Sequence, residues 1–166
     1  MIKDEKNEVA VYFNRKLDEE LSKRKQVFQS FWPALGFHKF ARTSLWLPNV
    51  KNLAGTVQEI GVTCDYMLGL TDQVLPGYLA TEYHDAEDVE FSALCRVNDL
   101  LDEGICSLPR LSNLTGSVPD TVDRWVKFSR VPGTFPILQI CRQFGYSFDY
   151  MIGLTEEKKL SSPYVP

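Results

Sequence analysis

The sequence predicts an all-α protein made by tandem duplication, and three observations carry that reading. Asp65-Tyr66-Met67-Leu68-Gly69-Leu70-Thr71 returns eighty-four positions later as Asp149-Tyr150-Met151-Ile152-Gly153-Leu154-Thr155. The same offset pairs Pro48 with Pro132 and Gly61 with Gly145. Phe91, Leu94, Val97, Leu100 and Leu101 recur at three- and four-residue spacing, the apolar stripe of an amphipathic helix.

The 166 residues suit two compact units better than one ordinary domain. The reading places a first unit at 1–72, an acidic connector at 73–90, a second unit at 91–157 and a tail at 158–166. Hydrophobic residues at 44% and charged residues at 24% are globular values. No apolar run approaches the roughly 20 residues a membrane helix needs, and the charged opening Met1-Ile2-Lys3-Asp4-Glu5-Lys6 lacks the apolar core of a secretory signal. The expected location is therefore cytoplasmic, without membrane contact. Cys64, Cys95, Cys106 and Cys141 form no CxxC pair and have only two histidines beside them, so buried, reduced thiols are expected and no metal or other cofactor.

Charge is concentrated. Residues 1–72 carry ten Lys/Arg and nine Asp/Glu, residues 91–166 carry eight of each, and residues 73–90 carry five acids and no base. Leu75-Pro76-Gly77 followed by the acids from Glu82 to Glu90 reads as a connector that runs into a helix.

In the second copy the amphipathic helix stops near Gly104. Ser107 then caps a short helix begun by Leu108-Pro109, Thr115-Gly116-Ser117 ends it, and Pro119 opens another with Val122, Trp125 and Phe128 inward. Two short helices around a glycine-containing turn form a helix-turn-helix pattern. Ser147 or Asp149 can cap the last helix, and Gly153 sits where it stops. In the first copy, Val9 to Leu21 and Gln26 to Trp32 supply two helices, and the offset places two more at Asn49 to Ile60 and Cys64 to Gly69. Between them a third helix is expected near Leu35 to Ser44, with Phe37 and Phe40 inward and His38, Lys39, Arg42 and Thr43 outward.

The order Leu111-Ser-Asn-Leu-Thr-Gly116, Thr121-Val-Asp-Arg-Trp125, Pro132, Phe144-Gly145-Tyr146-Ser147 and Asp149 to Leu154 resembles the DNA-binding domain of the Cro and phage-repressor family. The resemblance implies two tandem five-helix repressor-like helix-turn-helix domains, as in phage or mobile-element regulators, with the third helix of each in a major groove. It implies DNA contacts from His38, Lys39, Arg42 and Thr43 in the first copy. In the second it implies them from Asp120, Thr121, Asp123, Arg124 and Lys127, with the two grooves about 34 Å apart. The sequence departs from that pattern at Leu108, Val118 and Val126, where the family often has glutamine, serine and glutamate. Asp120 and Asp123 would face phosphates, and the pI of about 5.2 is acidic for a DNA-binding domain.

The leading expectation is a transcriptional regulator bound to double-stranded DNA. The alternative is a protein-binding module on the same scaffold. His38 has no partner at metal-binding spacing and no GxSxG, HExxH or phosphate loop is present, so no enzyme is expected. Phe28, Phe31, Trp32, Phe37, Phe40 and Trp46 crowd the first copy, and any exposed pair among them would mark a homodimer or partner contact.

Overall fold

A computed structural model describes residues 2–35, 42–72 and 83–160. All helices and turns among them belong to an all-α architecture, with one isolated antiparallel bridge between Tyr146 and Lys159. No helix among the described residues is long and apolar enough to cross a membrane.

The first copy contributes α1 (Ile2–Lys23), α2 (Phe28–Ala34), α3 (Val50–Ile60) and α4 (Cys64–Met67). The second contributes α5 (Ala86–Asp102), α6 (Leu108–Thr115), α7 (Pro119–Val126), α8 (Thr134–Phe144) and α9 (Phe148–Met151). The eighty-four-residue offset superposes α3 on α8 and α4 on α9 end for end. Gly61 and Gly145 close α3 and α8 at φ of 81° and 71°, a left-handed conformation in which glycine escapes the Cβ clash.

A less visible equivalence lies in the first helix of each copy. Asn14 donates from Nδ2 to the Ala10 carbonyl at 2.8 Å and to the Trp46 carbonyl at 2.7 Å. Asn98, at the same offset, donates to Leu94 at 2.8 Å and to Trp125 at 3.2 Å. Trp46 therefore stands where Trp125 stands, although Trp125 lies inside α7 and Trp46 lies in non-helical chain. Trp46 is four residues ahead of α3, whereas Trp125 is nine ahead of α8.

That shortening overturns the described part of the expected third helix. Leu35 caps α2, and Arg42 to Ser44 are not helical. His38 and Lys39, with the rest of 36–41, lie outside the described residues. The indole of Trp46 is held instead by aromatic edges, 4.9 Å from Trp32, 5.6 Å from Phe28 and 5.9 Å from Phe13, measured between ring centroids. Edge-to-face geometry satisfies the ring quadrupoles and accounts for Phe28, Trp32 and Trp46 of the aromatic excess seen in this copy.

The two copies do not hang from a tether. Their buried side chains join into one continuous cluster, from Phe13 and Leu17 through Leu53 and Met67 to Val97, Trp125 and Phe148. α3 packs on α5, and α4 packs on α9. Gln58 of α3 exchanges two hydrogen bonds with the backbone of His84, donating to its carbonyl at 2.9 Å and accepting from its N–H at 2.8 Å. Thr134 donates to the Pro48 carbonyl, and Gln139 donates to Glu5 at 3.0 Å. The amino end of α1 also reaches the turn between α6 and α7, where a Cβ on Gly116 would lie 2.7 Å from Ile2 Cδ1.

Candidate interaction surface

α6 and α7 build the outer face of the second copy. Ser107 Oγ accepts the Arg110 N–H at 3.3 Å to start α6, and Gly116 ends it at φ 67°. Pro119 starts α7 without a side-chain cap from Val118. Val122 and Trp125 are buried and fix the inner side of α7, while Asn98 holds its carboxyl end through the Trp125 carbonyl.

The outer side mixes apolar side chains with two acids and two bases. Leu108, Pro109, Pro119, Asp120, Val122 and Asp123 border a cleft of about 420 Å³ between the two helices. Leu108 is 48% and Val118 63% exposed. Asp120, Asp123, Arg124 and Lys127 are all exposed, and Thr121 is half-buried. Lys127 is neutralised within the face: its Nζ lies 2.7 Å from Asp123 Oδ2, and the carboxylate raises the ammonium above its ordinary range. At the far end of α7, Phe128 takes φ 56° and stays 44% exposed beside Phe91, which is 61% exposed, with ring centroids 6.0 Å apart. Phe128 therefore does not join the core as its spacing suggested. It takes the left-handed helix-closing position, which turns the ring out.

The first copy offers no matching face among its described residues. Arg42, expected to point at phosphate, places its guanidinium 2.6 Å from Asp18 Oδ1 and 4.3 Å above the centre of the Phe28 ring. Its charge is engaged within the fold, because α1 brings Asp18 alongside. Thr43 is exposed next to it.

A second cluster, missed as a unit by sequence reasoning, lies where α4 meets α9. Asp149 Oδ1 and Oδ2 accept the N–H groups of Cys64 at 2.9 Å and Asp65 at 3.0 Å, at the start of α4. Asp65 returns the contact at the start of α9, accepting the Phe148 N–H and the Ser147 hydroxyl, each at 2.6 Å. Each copy's aspartate thus serves the first turn of the other copy's closing helix, where orphan N–H groups and the helix dipole favour an anion. Thr63 and Ser147 cap their own helices, at 3.0 and 3.3 Å. Asp149, read as a cap for its own helix, caps the other one.

Both aspartates are buried. Burial, then the facing Asp149 charge, pushes the Asp65 carboxyl up to about 8. Burial also raises Asp149, against its two backbone donors. Burial holds the neighbouring thiols of Cys64 and Cys141 well above their usual range, so they stay protonated. The four cysteines are free, and no group of three or more metal-ligating side chains that could hold an ion occurs among the described residues. Compared with known proteins, the chain matches no family model, no curated protein and no solved structure.

Proposed function

We propose that the chain is a regulator on a repressor-like helix-turn-helix scaffold, and that it acts by binding another protein through the α6–α7 face. The observation that carries this reading is the character of that face. Leu108 and Val118 are exposed beside Asp120 and Asp123, and the nearest lysine is already paired with Asp123. Asp120 and a self-neutralised Asp123–Lys127 pair bring no net positive charge to a phosphate-lined groove, and positive charge supplies most duplex affinity. The same carboxylates and apolar side chains suit a partner segment that carries leucine-like and cationic side chains together.

Phe128 supports the same reading. A non-glycine residue in left-handed conformation costs about 1–2 kcal/mol, and here that cost keeps an aromatic ring exposed rather than filling the core. Phe128→Gly relieves the left-handed strain but gives up the Phe91 contact and adds chain entropy, so it should change stability by less than about 1 kcal/mol in urea unfolding while weakening partner binding.

The direct test titrates the protein with an amphipathic peptide of leucine and lysine, followed by amide chemical shifts. Perturbations should fall on α6 and α7 and be absent from the equally acidic amino end of α5. A uniform or α5-centred response would defeat the proposal.

Duplex DNA is the second reading, favoured by the exposed Arg124 and Arg130 on and just beyond α7. Fluorescence anisotropy with duplex from the protein's own upstream region, at low and moderate salt, separates the two. The protein-binding reading expects no salt-dependent binding by the native chain. It expects Asp120→Lys with Asp123→Lys to gain at least about tenfold in duplex affinity at low salt. Salt-dependent binding by the native chain would establish the DNA reading instead.

A further inference from the structure

We infer that Asp65 and Asp149 form a proton-dependent latch between the two copies, closed when the pair retains one proton and loosened when both carboxyls are ionised. The geometry makes the pair the point of contact between the closing helices. Four hydrogen bonds of 2.6 to 3.0 Å cross from one copy to the other through these two side chains. Asp149 Oδ2 accepts the backbone N–H of Asp65 itself at 3.0 Å, which brings the two buried side chains together. Two carboxylates brought together in a buried site cannot both ionise without strong repulsion.

The surroundings supply hydrogen-bond donors but no paired cation to offset a second negative charge. From α4 the pair is faced by Cys64, from α8 by Cys141, and from the start of α9 by Ser147. The thiols remain neutral, and Arg142 enters only as a weak opposing charge on Cys141. No Lys, Arg or His among the described residues forms an ion pair with either aspartate. Each aspartate accepts two donors across the seam, so the pair titrates as a unit that shares one proton.

The sign follows from the raised carboxyl. An aspartate whose folded value exceeds its unfolded value of about 3.9 contributes stability that is complete below about pH 4. That contribution erodes as pH rises and is gone once pH passes the folded value, about 8 for Asp65. Across this window the native chain holds one proton more than the unfolded chain, so its unfolding constant rises by up to about tenfold per pH unit.

The test is urea unfolding of the full chain from pH 5 to 9, together with carboxyl carbon chemical shifts of the native protein over the same range. The native chain should lose midpoint concentration steadily between pH 5 and 8 and level off above. Asp65→Asn, which mimics the protonated acid, should be flat over that range. One Asp carboxyl carbon should titrate several pH units above the ordinary range, and protection of the Cys64 and Phe148 amides should fall with it. A midpoint that does not change with pH, an Asn variant that declines as steeply as the native chain, or two carboxyls titrating near pH 4 would each overturn the latch. If the Asn variant does not fold, the carboxyl titration of the native chain decides alone.

Discussion

Asp149→Ala will destabilise the protein by about 3–5 kcal/mol, and the damage will appear in the other half of the chain. Two buried N–H groups, those of Cys64 and Asp65, lose their acceptor. Each orphaned donor costs about 1–3 kcal/mol, and the small cavity adds to it. Relief of the repulsion felt by Asp65 returns part of the loss, so the value falls below the simple maximum. The measurement is urea unfolding near pH 6, with amide exchange read at Cys64 and Asp65. Asp149→Asn keeps one acceptor oxygen and should cost about half as much. A neutral alanine variant would mean that the cross-copy bonds contribute nothing.

Trp125→Ala should cost a similar amount, about 3–5 kcal/mol, for a different reason. Its indole is among the largest fully buried side chains, and its carbonyl receives Asn98. Truncation removes the anchor of α7 and with it the positioning of Asp120, Asp123 and Phe128. Trp125→Phe should cost much less, about 1–1.5 kcal/mol, because the indole N–H has no partner among the described residues and nothing is orphaned by its removal. Unfolding midpoints of the two variants check the pair, and alanine costing no more than phenylalanine would refute the anchoring role.

Much of the helical layout was legible because duplication supplies its own alignment. α3 with α8 and α4 with α9 follow from one offset, and the end signals at Ser107 and Gly116 are local. Where the copies differ in length, the offset misleads. Asn14 and Asn98 keep the register of the first helices, yet Trp46 and Trp125 are seventy-nine positions apart rather than eighty-four. A third helix drawn over Arg42 to Ser44 ignored that shift. Arg42 was misjudged for a related reason, since only the packing of α1 reveals Asp18 beside it. The aspartate pair was hidden by distance along the chain: an N-terminal aspartate reads as a cap for its own helix, and nothing local points to a helix eighty-four residues away.

The reciprocal caps bear on how such a chain can change. Duplication ordinarily lets one copy drift while the other keeps the original task, and the outer faces here have drifted, one presenting Asp120 and Asp123 and the other tying Arg42 inward. The seam allows no such freedom. A substitution at Asp65 strips the helix start that Ser147 and Phe148 form, and one at Asp149 strips that of Cys64. Neither copy can lose its aspartate without harming its neighbour, so the two halves are bound to inherit this part of themselves together.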